Sequence, residues 1–313
     1  MNASERSLQE VAQTLAVDVA TGTVVARLRA NGIPSIVLRG PAVARRLFAA
    51  GELRTYVDLD LLVAPDTWER AGDVLRELGF APLTTEAELK RHRRVHAFEW
   101  WRPSDHVAID LHRTVSGARA SDDEVWAAIS EGSRREDVGD VQVDLVGEPA
   151  LALLLALHAA HHGAPRGKPI DDLVRALARL DEATWVRVRE LAQRIDAIAA
   201  LSAGLRFLPE GSALADRLGL PTELPVDVAL RASGAPPLAL GLEWLSRTPR
   251  LRAKAALVAH VVLPPPGALR SWRMLARKGR LGLAAAYLSQ PFWLARHTLP
   301  SLLALRRARK GGS

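Results

Sequence analysis

The segment Arg54 to Val63, RTYVDLDLLV, most constrains what this chain can fold into. Val57, Leu59, Leu61 and Val63 alternate with Asp58, Asp60 and Leu62, which predicts a strand. Alternate side chains of a strand share a face, so Asp58 and Asp60 point the same way, two rises of about 3.3 Å apart. Two carboxylates side by side in an apolar strand raise each other's pKa unless a cation lies between them. Hard divalent cations such as Mg²⁺ take oxygen ligands of this kind, with water and phosphate completing the coordination. An edge strand carrying two solvated aspartates is the competing reading, so the neighbouring residues have to decide.

A length of 313 residues is enough for two domains, and an apolar content of 48% supports a sizeable core. The chain has no cysteine, which excludes disulfides, thiolate metal sites and Cys nucleophiles and fits a reducing compartment. The N-terminal MNASERSLQEVAQTLA lacks a basic region followed by an apolar one, so no signal peptide is expected. No uninterrupted apolar run reaches the roughly 18 residues of a spanning helix. Cytoplasmic location is the expectation, with peripheral contact at the inner face of the membrane as an addition. The net charge of +7 is unevenly spread: from Trp244 to Ser313 there are 14 Lys and Arg and no Asp or Glu. The remainder holds 28 basic and 35 acidic residues, so a mildly acidic body carries a strongly basic tail.

The pattern along the chain predicts a helix over Ser4 to Ala30, with Leu8, Val11, Leu15, Val19, Val24 and Leu28 as its apolar stripe and Asn31-Gly32 as its stop. A short strand, Ile33 to Arg39, follows. Pro41 then opens a helix reaching about Ala50. After the Asp58 strand, Asp66-Thr67-Trp68-Glu69 reads as a capping box for a helix ending at Gly79. Val95 to Trp101 and His106 to His112 read as a hairpin turning at Pro103-Ser104-Asp105, Ser121 to Ile129 as a helix and Val141 to Val146 as a last strand. From Gly147 nearly everything is helical in pattern. The expectation is an α+β fold: a mixed-sheet domain over 1–146, a helical domain over 147–243 and a basic helical region over 244–313.

Asp110, in HVAIDLH, is a third carboxylate flanked by apolar strand residues. If its hairpin pairs beside the Asp58 strand, all three carboxylates share one face. Such a trio can hold two Mg²⁺ ions that clamp a triphosphate and lower the pKa of an attacking hydroxyl. Gly40, at a strand-to-helix turn, leaves backbone N–H groups free and lets a phosphate approach closely.

These residues resemble the polymerase-β-type nucleotidyltransferase superfamily, and more closely the bacterial nucleotidyltransferases of uncharacterised substrate. Leu38-Arg39-Gly40 is similar to that family's Leu-Lys-Gly with Arg for Lys, Arg54 with Asp58-Leu59-Asp60-Leu61-Leu62-Val63 to its Arg and Asp-x-Asp strand, and Ile109-Asp110-Leu111-His112 to its third carboxylate strand. The helix bearing His158 and His162, with Asp171-Asp172 after it, resembles the family's second half. Gly40-Pro41 stands where the superfamily usually has Gly-Ser, and the gap from Gly40 to Asp58 is longer than in aminoglycoside nucleotidyltransferases. The resemblance implies transfer of a nucleoside monophosphate from an NTP to an acceptor, a small molecule, sugar, peptide or protein, with Mg²⁺ or Mn²⁺ and release of pyrophosphate. It implies that Asp58 and Asp60 bind both ions, that Asp110 binds the catalytic ion and accepts the proton, and that Gly40 receives the β- and γ-phosphates. Arg39 and Arg54 are candidates for neutralising phosphate charge, since a guanidinium does so bidentately. A surface role for Arg39 and an ion pair of Arg54 with Asp58 are the alternatives.

His158 and His162 lie at i, i+4 on one helix face, and His161 falls on a different face. That spacing can chelate Zn²⁺, but the zincin Glu and a third ligand are missing. They can also complement the C-terminal end of the helix dipole. A third reading has one of them, with Lys168 or Asp172, contact nucleotide or acceptor in a cleft. His112 shares a face with Asp110 and can support it. Trp100 and Trp101 flank the hairpin turn; one can stack on a base, and core packing is the reading for at least one of them. In the basic tail, Leu275, Leu281, Leu283, Tyr287, Leu288, Phe292, Trp293, Leu294, Leu302, Leu303 and Leu305 recur at helical spacing among Arg and Lys. This pattern suits packing on the acidic body or an anionic membrane surface. No nucleic-acid motif is present, and nucleic acid is not the expected partner. A non-catalytic module of the same fold, or a membrane-surface scaffold, are the rival functions.

Overall fold

The computed structural model of the chain describes residues 3–49, 51–83, 96–163 and 167–310, and side chains throughout these except 3–7, 271 and 272. A sheet of seven strands organises the first half. Its strands are β1 (Ser35–Val37), β2 (Asp58–Val63), β3 (Ala81–Pro82), β4 (Ala97–Arg102), β5 (Val107–His112), β6 (Arg134–Val138) and β7 (Val141–Leu145), in the spatial order β3-β4-β5-β2-β1-β7-β6. The β2–β5 and β1–β7 pairs are parallel and the others antiparallel. The α+β class is as expected, and the strand bearing Asp58 and Asp60 is central rather than an edge. The first residue of the expected hairpin, Val95, and the expected end of the second helix, Ala50, lie outside the described residues.

One face of the sheet is apolar because alternation aims Leu59, Leu61, Val63, Ile109, Leu111, Phe98 and Trp100 the same way. Two helices cover it, α1 (Ala3–Ala30) and α3 (Trp68–Glu77). The stripe that α1 buries is Val17, Ala20, Val24, Val25 and Leu28; Leu8, Leu15 and Val19 of the expected stripe are exposed. The five-residue step from Val19 to Val24 had already broken the helical period, and the 17-20-24-28 series is the one that keeps it. Leu8–Ala30 is long and apolar enough, by length and composition, to cross a membrane. Its inner stripe packs on the sheet. The expected capping box at Asp66 is absent. Pro65 starts a short 3₁₀ turn, so Asp66 lies within it, and Thr67 Oγ1 donates to the Ala64 carbonyl at 2.7 Å. A capping box forms instead at α4 (Asp122–Ser130), where Ser121 and Glu124 bond reciprocally. Helix α2 (Pro41–Leu47) stops early because Phe48 turns extended, its ring under the Arg175 guanidinium at 4.0 Å. The β6 strand escaped the sequence reading although Gly139-Asp140 sits between two alternating runs, a usable turn signal.

The second half is helical: α5 (Glu148–His162), α6 (Lys168–Arg179), α7 (Glu182–Arg194), α8 (Ile198–Leu205), α9 (Pro209–Arg217), α10 (Val226–Ala232), α11 (Pro237–Arg247), α12 (Leu251–Val262), α13 (Pro266–Trp272), α14 (Gly279–Leu288) and α15 (Gln290–Lys310). Helix α5 is apolar nearly all round and buries ten of its residues, so it acts as the central rod of a core that runs unbroken from Val17 to Leu220. Pro149 begins it and Gly163, left-handed at φ 59°, ends it, which fixes where its terminal histidines fall.

Helix α8 presses so closely on α5 that a Cβ on Gly204 would lie 2.0 Å from the Ala156 carbonyl oxygen. Backbone cannot yield there as a flexible side chain would. Gly204→Ala is therefore expected to destabilise the protein by about 1–3 kcal/mol, read as a lower midpoint in urea unfolding. An unchanged midpoint would mean that the two helices do not meet so closely.

Candidate functional site

The parallel register of β2 with β5 sets Asp60 directly opposite Asp110 and Leu62 opposite His112. Residues 58, 60 and 62 share the face of 108, 110 and 112, so both strands turn their polar residues to the side away from α1. One ligand atom from each of Asp60, Asp110 and His112 lies within 4.8 Å of the other two, a spacing a single metal ion could bridge. Asp58 stands beside this group on the same face, its pKa raised by burial and by the Asp60 charge. A cleft of about 260 Å³ opens over them. Asp58, Asp110, His112 and Arg39 line it from the sheet, His158, His161 and His162 from α5, and His96 and Ser116 from the ends of the β4–β5 hairpin.

Asp60 is 4% exposed. An isolated carboxylate so placed would cost several kcal/mol, and two partners prevent that. Arg39 spans both its oxygens, with Nε 2.8 Å from Oδ2, and His112 Nε2 lies 3.1 Å from Oδ1. Burial opposes the charge, but Arg39 and His112 outweigh it and hold Asp60 ionised well below the usual carboxylate range. Asp110 has no such clamp. Burial first, then the charges of Asp60, Asp58 and Glu99, push it up to about 6. Two facing carboxylates thus differ sharply in proton affinity, a common sign of divided acid–base roles.

Arg39 also reaches His158 Nδ1. A guanidinium only donates, so that nitrogen accepts and the ring is neutral, consistent with burial and the Arg39 cation pushing its pKa down. His158 stacks edge-on to His162 at 4.4 Å, His162 lies 5.4 Å from His161, and His161 meets His96 at 5.0 Å. Burial and the neighbouring cations lower His96 to about 3 and His161 to about 4. Arg231 on α10 faces this end, 3.4 Å from His161 Nδ1.

The structure thus brings Arg39, Asp58, Asp60, Asp110, His158 and His162 to one cleft. Arg39 is no surface residue; it is the counter-ion of Asp60. Arg54 pairs with Asp172 on α6, through contacts of 3.0 and 2.7 Å, and not with Asp58, while a further nitrogen lies 3.5 Å from the Gly40 carbonyl. Lys168 Nζ sits 3.3 Å from the Thr55 carbonyl and does not line the cleft. Gly40 takes φ 51° and ψ −103°, a conformation that requires glycine, and so turns the chain from β1 into α2. His158 and His162 are joined by no third zinc-type ligand among the described residues. Sequence reasoning missed His96 and Arg231, and it set His161 on a different helix face from His158 and His162, whereas all three line the cleft. Strand alternation aims His96 with Phe98 toward the apolar face, and only the bend before β4 turns it into the cleft.

The buried histidines make stability depend on pH. In the unfolded chain they bind protons near the ordinary value of 6.5, whereas folded His96 and His161 do so only near 3 and 4. The unfolded state therefore takes up more protons below 6.5, and stability falls as pH drops, by roughly 1.4 kcal/mol per unit for each histidine at most. The melting temperature should fall from pH 7 to pH 5, less steeply in His96→Gln/His161→Gln. An identical slope in the variant would remove these residues as the cause.

Among solved structures, the chain is similar to the antibiotic-resistance factor ANT(2'')-Ia, at 17% identity over 58% of this chain and 96% of that one, with a TM-score of 0.40. An antigenic nucleotidyltransferase-like protein from Paracoccidioides brasiliensis is 14% identical over 59% of this chain and 91% of that one, with a TM-score of 0.34. No match was found among curated protein sequences. A family model described as uncharacterised nucleotidyltransferase matches residues 2–210, a span that takes in the whole sheet, its carboxylates and α5. With two thirds of its length so matched, the chain belongs to this nucleotidyltransferase family.

Proposed function

We propose that the protein transfers a nucleoside monophosphate from an NTP to an acceptor group, releasing pyrophosphate, with Mg²⁺ or Mn²⁺ as cofactor. The observation that carries this reading is the register placing Asp60 opposite Asp110 under an open cleft. The donor set fits a divalent ion: carboxylates and one imidazole whose atoms converge within 4.8 Å. Asp58, Asp60 and Asp110, with His112 beside them, would hold it, and when bound it supplies charge neutralisation at phosphate and a more acidic acceptor hydroxyl. The acceptor oxygen attacks the α-phosphorus, the bond from that phosphorus to the bridging oxygen of the β-phosphate breaks, and pyrophosphate leaves. Asp110 is the group that takes the acceptor's proton. Its carboxyl titrates near 6, so it is largely ionised at pH 7 yet more basic than an ordinary aspartate. Arg39 supplies the cation at the floor of the cleft, and Arg54 fixes the Gly40 turn from behind by pairing with Asp172. Neutral His158 and His162 offer hydrogen bonds to nucleotide or acceptor without adding charge.

One observation favours a non-catalytic nucleotide-binding role. Both Asp60 oxygens are already engaged by Arg39, and one also by His112. A binding module would show bound nucleotide, no turnover on any acceptor, and no effect of Asp110→Ala on binding.

Pyrophosphate release and label transfer from each of the four NTPs, with Mg²⁺ or Mn²⁺, distinguish the two readings. Asp110→Asn is expected to lower turnover about 100-fold or more while the protein stays folded. Turnover unaffected by that change would sink the assignment of Asp110, and a protein that binds no metal–NTP would sink the whole proposal. Asp58→Asn is expected to weaken Mn²⁺ binding, followed by electron paramagnetic resonance, with a far-UV spectrum like that of the parent protein.

A further inference from the structure

The basic region packs thinly. Helix α12 buries none of its residues, and α13 and α14 meet around a small buried cluster of Leu269, Ala276 and Ala286, with Tyr287 donating to the Pro264 carbonyl at 2.7 Å. Helix α15 is firmly seated on one side only. Ser301 and Leu305 face inward, and Leu305 joins Leu230 of α10 and Ala239 of α11 in a buried cluster. At about 100° per residue, Phe292, Arg296, Leu299, Leu303, Arg306 and Lys310 fall within an arc of about 80° on the opposite side. All six are exposed, Phe292 at 78% and Leu299 at 64%. Nothing among the described residues covers this stripe, and its Arg296, Arg306 and Lys310 make no ion pair there.

We propose that the outward stripe of α15 is a docking surface for an anionic lipid bilayer. Three large apolar side chains held in water, Phe292 about two turns before Leu299 and Leu299 about one turn before Leu303, call for an apolar phase, and the cations between them call for negative charge beside it. A bilayer rich in anionic headgroups supplies both at once. A polyphosphate chain such as RNA meets the cations but offers Phe292, Leu299 and Leu303 no apolar phase. A second copy docked by this stripe across a two-fold axis would set like charges against each other, because the region from Trp244 on contains no acidic residue. The mildly acidic body carries the cleft, so the basic surface would keep that body at the membrane without altering the site's own chemistry.

Sedimentation of the full chain with vesicles tests this. Vesicles of phosphatidylcholine mixed equally with phosphatidylglycerol should bind it at least about tenfold more tightly than phosphatidylcholine alone, with binding weakened by salt. Leu299→Glu/Leu303→Glu and, separately, Arg296→Glu/Arg306→Glu should each reduce that binding about tenfold, with an unchanged circular dichroism spectrum. All four positions are solvent-facing, and the salt dependence of the parent protein gives a readout that needs no variant. The proposal is overturned if anionic and neutral vesicles bind equally or not at all, or if both double variants bind as the parent does. A lipid-free dimer abolished by Leu299→Glu/Leu303→Glu overturns it in favour of self-association. Tighter binding to an RNA oligonucleotide than to vesicles overturns it in favour of nucleic acid.

Discussion

The buried pair of Arg39 with Asp60 is what the rest of the site depends on. Asp60 leaves water almost completely, and a carboxylate can remain ionised there only if its oxygens are satisfied. Arg39 comes from the end of β1, Asp60 from β2, His112 from β5, and His158, which touches Arg39, from α5. One charge therefore binds three neighbouring strands and the central helix into a single network. Such a network holds only while every member is present, because loss of one leaves another buried and unpaired.

The same pair sets the electrostatics of the cleft. The Arg39 cation keeps Asp60 ionised and discourages protonation of His158 and His161. Ionised Asp60 in turn adds to the burial that raises Asp110 and Asp58. A region dense in titratable groups thus resolves into one firmly ionised carboxylate, two of higher proton affinity and a wall of neutral imidazoles. That division is the physical basis for giving Asp110, rather than Asp60, the proton-accepting part.

Body and tail obey different rules. The body has one continuous core around α5, with close backbone contacts such as Gly204 on Ala156. The basic helices form small clusters and leave Leu281 and Leu288 largely in water along with the outer stripe of α15. Helix α15 hides one side on its own protein and shows a mixed apolar and basic side elsewhere.

Much of the architecture could be read from the amino-acid sequence. Alternation identified the Asp58 strand and the hairpin carrying Asp110, because a period of two is local and survives whatever the strand later packs against. Pro149 and Gly163 bracketed α5 for the same reason: caps act within a turn. The carboxylate trio and the family resemblance followed from these segments. The sequence could not say which strands would be neighbours in which register, and so could not show that Asp60 faces Asp110 while Arg39 takes up both Asp60 oxygens. It offered Arg54 a phosphate or nearby Asp58, where the fold gives it Asp172, 118 positions away. It left His96 and Arg231 unremarked. Local periodicity and capping are short-range energies written along the chain, whereas the partner of a buried charge is decided only when distant segments are brought together and water is removed.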